Sequence, residues 1–303
     1  MSSEVLIEQT VEQSAIPHAA GTTEAHIDAL LPKDMATKAE DVGVRKANMD
    51  AATMFALAVL AGAFIALGAV VATIVSVSGA ADPLPYGVTK LLCGLVFSLG
   101  LILVIVGGAE LFTGNNLIVM AWASRRITTR ALLRNWGIVY LGNLVGSLAI
   151  ALLVFGSGQY MFANGEVGKT MLSIANAKCE LGFFQATCLG VLCNILVCLA
   201  VWLTLSARTT TDRIMAIIAP ITAFVAAGFE HSVANMYFIP VGLLTKYGAT
   251  PEFWNTVEQT GGNYSGLTVS AMFANLVPVT LGNIIGGAIL VGTVYWFVYL
   301  RDR

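Results

Sequence analysis

Apolar residues in this chain come in long unbroken runs, and the charged positions fall between the runs. About 20 apolar residues cross the hydrocarbon layer of a bilayer, so charge-free intervals mark candidate spans. Thirty-one uncharged residues separate Asp50 from Asp82, 31 separate Arg134 from Glu166, and 27 separate Glu180 from Arg208. A last span lies between Glu258 and Arg301, behind a loop holding Gly261, Gly262 and Asn263. Two further runs are interrupted. The run from Lys90 to Arg125 is cut by Glu110 into pieces of 19 and 14 residues. The run from Arg213 to Lys246 is cut by Glu230, with His231 beside it, into pieces of 16 and 14. A 14-residue piece is too short to cross alone. The pattern therefore predicts six transmembrane helices, with the second and fifth spans broken.

Composition agrees with that reading. Hydrophobic residues make up 57% of the 303 and charged ones 11%, against about 25% charged in a soluble domain. A net charge of −2 gives no basic footprint for nucleic acid. Six spans put both termini on one side. Twelve Lys and Arg (33, 38, 45, 46, 125, 126, 130, 134, 208, 213, 301 and 303) share that side, against Lys90, Lys169, Lys178 and Lys246 opposite. The excess of basic residues marks the cytoplasmic face, so both termini are expected in the cytoplasm. Residues 1–50 are polar and show no apolar stretch before a small-residue cleavage site, so the first span is expected to act as the insertion signal. Five cysteines, an odd number and mostly in apolar stretches, read as small hydrophobes, with no disulfide framework and no metal site.

The two broken spans are related. Gly108-Ala-Glu110-Leu-Phe-Thr113-Gly-Asn115 aligns with Gly228-Phe-Glu230-His231-Ser-Val-Ala-Asn235 at an offset of 120. Leu141-Gly142-Asn143-Leu-Val-Gly146 aligns with Leu281-Gly282-Asn283-Ile-Ile-Gly286. These place a first repeat over 51–157 and a second over 183–301, within a transmembrane domain of 51–301. Three spans per half is an odd number, so the second half is inverted. Inverted repeats with broken helices meeting near the midplane build the permeation sites of many transporters. The Gly142/Gly146 and Gly282/Gly286 pairs have the spacing of close helix packing.

Candidate chemistry centres on the breaks. His231 is the one histidine beyond the tail, where His18 and His26 read as solvated. An ionisable side chain at membrane depth points to function, and imidazole titrates near working pH. Glu110 and Glu230, as repeat equivalents, are expected to hold the broken backbone. For Thr113 two readings stand: a hydroxyl bonded back to its own helix, or one that meets His231 across a pore. Phe97 and Leu101 share a face at i, i+4, and Phe224 lies seven residues before His231. By pattern these are core residues; facing a pore, they would form a dry constriction.

The strings Phe97-Ser-Leu-Gly-Leu101, Glu110-Leu-Phe-Thr113, Gly228-Phe-Glu-His231-Ser-Val-Ala-Asn235 and Val279-Thr-Leu-Gly-Asn283-Ile-Ile-Gly-Gly resemble the formate/nitrite transporter family. The resemblance runs from about Asp28 to Arg303 and is nearest to the formate-channel branch. It implies an all-α, aquaporin-like integral membrane fold, a homopentamer with one pore per protomer, and a bacterial inner-membrane location. It implies His231 and Thr113 as the central selectivity pair. It further implies an outer constriction of Phe97, Leu101 and Phe224, an inner slit of Leu111, Phe112 and Val197, and a polar line of Lys178, Asn194 and Glu230. Residues from about Pro32 to Lys46 match an amphipathic helix over the cytoplasmic pore mouth. Formate and protons are the implied partners, with the lipid bilayer and no cofactor. Glu110 and Gly114-Asn115-Asn116 resemble members of several substrate branches, which leaves nitrite and hydrosulfide as alternatives and keeps a proton-coupled symporter open beside a channel. A glycerol-type channel would need paired Asn-Pro-Ala motifs, which the sequence lacks, and an enzyme would need a nucleophile–base pair or metal-ligand cluster.

Overall fold

The computed structural model describes residues 29–77 and 84–302. Asp28, Asp82 and the tail histidines His18 and His26 lie outside the described residues. The described chain is helical. Helix α1 (Pro32–Ala47) precedes the first long span, α2 (Ala51–Ser76). The second span is α3 (Tyr86–Gly107), a break, a 3-10 turn over Gly114–Ile118 and the short α4 (Val119–Ala123). Helix α5 (Thr129–Gly156) crosses next, and α6 (Glu166–Cys179) leads into α7 (Phe183–Ser206). The fifth span is α8 (Thr210–Ala226), a break, and α9 (Ser232–Gly248). After α10 (Pro251–Thr256), the last span runs as α11 (Val269–Ile284), a π-helical stretch over Ile285–Thr293, and α12 (Val294–Tyr299). Helices α2, α3, α5, α7 and the α11–α12 run are long and apolar enough to cross a membrane. Helices α8 and α9, at 17 residues each, share a crossing.

Caps set where these helices begin. Asp50 accepts from the Thr53 amide at 2.9 Å to start α2, and these bonds hold its carboxyl below the usual carboxylate range. Asp212 and Thr209 form a reciprocal capping box at the start of α8.

Both breaks follow one design. Helix α3 ends at Gly108 with φ of 77°, and α8 ends near Gly228 with φ of 72°. Both are left-handed positions that glycine adopts without Cβ strain. In each case the next amide returns to the helix, Ala109 to the Val104 carbonyl and Phe229 to the Phe224 carbonyl. The chain then runs on without helical bonding, which in a membrane interior leaves backbone polar groups needing partners.

A pair of buried asparagines supplies them. Asn143 accepts from the Phe112 amide at 2.9 Å and donates to the carbonyls of Glu110 (2.9 Å) and Ala58 (2.8 Å). Asn283 accepts from the Ser232 amide at 3.0 Å and donates to Glu230 (3.0 Å) and Gly190 (2.8 Å). The Glu110 amide donates to Leu57 and the Glu230 amide to Leu189. Every partner has its counterpart in the other half, so the repeat seen in the sequence is a repeat of hydrogen bonds. The glycine pairs bring the helices close enough for this. A Cβ on Gly146 would strike the Val59 carbonyl, and one on Gly286 would strike its counterpart at Val191. Helix α1 belongs to the same framework. It packs Met35, Ala36 and Ala39 against Trp202, Leu205 and Leu300, so the first described helix and the end of the last lie together. Arg126 clamps it through Glu40 at 3.1 Å and Asp41 at 2.5 Å.

Replacing Asn283 by Ala strands the Ser232 amide and two carbonyls. The expected loss is about 3 kcal/mol or more, read as a lower thermal midpoint of the purified protein. An unchanged midpoint would show that the break holds itself.

Candidate permeation site

The two breaks bring Thr113 and His231 together. His231 is the N-cap of α9, in extended conformation, and its Nδ1 accepts the Ala234 amide at 3.1 Å. A ring nitrogen that accepts a backbone N–H carries no proton, so the proton sits on Nε2. Nε2 lies 2.9 Å from the Thr113 Oγ1 and therefore donates to it. The Thr113 hydroxyl hydrogen is left to point elsewhere. Both residues are buried. The Phe224 ring stacks along the imidazole, with centroids 5.9 Å apart and planes 21° apart, and Phe97 meets Phe224 edge-on at 5.7 Å.

Two cavities approach this pair from opposite ends of the helices. The larger, about 470 Å³, is lined by Ser76, Tyr86, Lys90, Lys178, Glu230 and His231, and by Phe97 and Phe224. The smaller, about 50 Å³, is lined by Gly43 and Lys46 of α1 and by Leu101, Val104, Leu111 and Val201. Helix α3 runs from Lys90 at one cavity to Val104 at the other. Between the cavities lies a plug of apolar side chains carrying one polar pair.

The remaining candidate residues divide between these places. Lys178 and Glu230 line the larger cavity beside His231, whereas Asn194 is fully buried behind the first break. Leu101 and Leu111 border the smaller cavity. Phe112 is buried edge-on against Tyr140 and Trp136 of α5, and Val197 is buried on α7.

Each glutamate anchors a charged cluster. Lys178 Nζ meets Glu230 at 2.8 Å, Asn235 donates to the other carboxylate oxygen at 2.6 Å, and Asn275 links Asn235 to the Lys178 carbonyl. In the first half Lys46 meets Glu110 at 2.9 Å, Asn115 donates to it at 2.7 Å, and Asn135 links Asn115 to the Lys46 carbonyl. Each cavity thus ends on a lysine paired with a buried carboxylate. The residues not foreseen from the sequence are Lys46, Asn115, Asn235, Asn135 and Asn275. One signal was available, since Asn135 and Asn143 have the same spacing of eight as Asn275 and Asn283.

An inverted-repeat helical pore with a Thr–His pair between two vestibules defines a membrane transport protein. The model of the formate/nitrite transporter family matches residues 33–297, and the chain belongs to that family. It is 49% identical over 277 residues to the formate channel FocA of Escherichia coli K12, covering 91% of this chain and 96% of that protein. It is 47% identical to FocA of Haemophilus influenzae, covering 87% and 93%. The structure of a pentameric formate channel with formate bound superposes with a TM-score of 0.78 at 46% identity, covering 83% of this chain and 98% of that one.

Lys178 is less exposed than Lys46, at 15% against 28% of the side chain, so water replaces the Lys46 ammonium more readily, while the two carboxylates are about equally buried, Glu230 at 7% and Glu110 at 5%. Lys178→Ala leaves a buried carboxylate without its cation and is expected to cost about 3 kcal/mol or more, with Lys46→Ala costing less. Thermal melting of both variants checks the order, and adding Glu230→Gln to Lys178→Ala should recover most of the loss.

Proposed function

We propose that this chain forms a channel for formate and related small monovalent anions, with protons taking part in uptake. The observation that carries the reading is the 2.9 Å contact between Thr113 Oγ1 and His231 Nε2, set between the two cavities in a chain so similar to formate channels. Phe97, Leu101 and Phe224 act as the outer dry constriction, and Leu111, Phe112 and Val197 as the inner slit. Lys178 and Glu230 form the polar approach, with Asn194 bonded behind the first break to the Thr113 carbonyl rather than in the approach itself, and α1 covers the other mouth. The protein works as a homopentamer in a bacterial inner membrane, with both termini cytoplasmic. The similarity to a pentameric channel supports the assembly, and the twelve-to-four bias of Lys and Arg supports the orientation.

An anion entering either apolar constriction loses its water shell at a cost of several kcal/mol. At the centre the Thr113 hydroxyl donates to the carboxylate, and its own oxygen is held by His231 Nε2–H. In export the neutral imidazole serves as this donor chain and the anion crosses. Uptake of acid requires His231 to carry a second proton on Nδ1 first. That proton displaces the Ala234 amide from its acceptor. Proton transfer to formate then runs from Nε2–H through the Thr113 hydroxyl, leaving formic acid and a neutral histidine protonated on Nδ1 alone; the N-cap of α9 re-forms once that proton leaves Nδ1 and Nε2 is protonated again.

The test is pH-resolved flux in proteoliposomes holding the purified protein. Formate flux should lead nitrite, hydrosulfide and glycerol, and formate uptake should bring protons with it as external pH falls. Glycerol flux without anion flux would overturn the reading. In His231→Asn, anion passage should persist while the pH response of uptake disappears. Unchanged pH dependence in that variant would end the relay mechanism.

A further inference from the structure

The two halves share their scaffold of lysine, glutamate and asparagine, so the polar groups that break the symmetry mark what each break does differently. Beside the first break sits one such group. Asn116, in the 3-10 turn and fully buried, donates through Nδ2 to the Phe112 carbonyl at 3.1 Å. Its Oδ1 accepts from Asn194 Nδ2 at 2.9 Å. The same Asn194 nitrogen donates to the Thr113 carbonyl (3.2 Å) and the Asn283 carbonyl (2.7 Å). Three acceptors gather at the amide nitrogen, so the Asn194 carbonyl oxygen is turned away from them, and no described residue donates to it. The counterparts of Asn116 and Asn194 in the other half are Met236 and Gly62, which can form no such pair. Gly287 fits over the cluster: a Cβ there would meet the Asn194 amide, Cys198 Sγ and the Asn116 side chain. Its own counterpart is Ser147, whose hydroxyl lies 3.2 Å from the Gly62 carbonyl and 3.4 Å from the Val233 carbonyl instead.

From this we infer that Asn116 is a positioning residue for selectivity. It fixes the peptide units on both sides of Thr113, one directly at Phe112 and one through Asn194, and so sets where the Thr113 hydroxyl stands relative to His231. It also decides which end of the Asn194 amide is bound. The inference rests on the channel reading above, because it concerns how closely the Thr–His pair fits a one-carbon carboxylate.

The experiment compares formate and acetate flux in proteoliposomes for the wild type, Asn116→Leu, Asn116→Ser, Asn194→Leu and the double Asn116→Leu/Asn194→Leu variant. Asn116→Leu should lower the formate-to-acetate flux ratio about tenfold, the change one lost hydrogen bond supports. The double variant should lose less than the sum of the two single losses, since the Asn116–Asn194 bond is shared between them while the Asn116 bond to the Phe112 carbonyl is not. Asn116→Ser, which leaves space and keeps a hydroxyl, should fall between wild type and Asn116→Leu. An unchanged ratio, or losses that simply add, would overturn the inference. Failure of both Asn116 variants to yield folded protein would make the residue part of the scaffold and overturn it as well. Wild-type protein that passes neither anion would instead refute the channel reading.

Discussion

A membrane interior offers a broken backbone no water to bond with, and this molecule contains two such breaks at its centre. Asn143 and Asn283 answer that constraint. Each accepts one amide and donates to two carbonyls, joining its break to the neighbouring long helix. Because the breaks are held from behind, Thr113 and His231 can be presented from the front. The glycines that let α2 meet α5 and α7 meet α11 serve the same end, since a bulkier residue would push the asparagine out of reach.

The glutamate side chains, expected from the sequence to hold the broken backbone, leave that to the asparagines and bind cations and side-chain amides instead. Each carboxylate binds the asparagine that follows it by five residues and a lysine from a different helix, α1 in one half and α6 in the other. A charge at this depth survives because its partners arrive from opposite directions and its oxygens are hydrogen-bonded. The lysines are left near the cavity walls, where they bring positive charge to each approach. The first half carries an additional donor, since Lys46 also bonds the Asn115 carbonyl oxygen. The equivalent oxygen of Asn235 has no described partner.

Where the halves differ, the chemistry appears. Leu111 stands opposite His231 in the repeat, and Val233 opposite Thr113. The Thr113–His231 pair is therefore assembled from one asymmetric position in each break, and neither half could make it alone. The amide pair Asn116–Asn194 follows the same rule. Symmetry supplies the scaffold, and departures from it supply a single polar point in an apolar plug.

The spans, the two breaks, the inverted repeat and the prominence of His231 were legible in the sequence, because charge in an apolar run is conspicuous and the motifs around the breaks recur. The clusters around Glu110 and Glu230 were not. Their counterparts sit 132 residues apart in α1 and α6, 120 apart at the breaks and 140 apart in α5 and α11, so no single offset aligns them. Thr113 carried two readings in the sequence, and its partner across the breaks was decided by the tertiary structure alone. So were the direction of the Phe112 ring, the burial of Asn194 behind the first break and the tautomer of His231. By itself the sequence determined which segments enter the membrane and where they are interrupted, since transfer from water to hydrocarbon is a local property of each run. Only the packed structure decided which side chains meet, because hydrogen bonds between residues about a hundred positions apart depend on the helices' final approach.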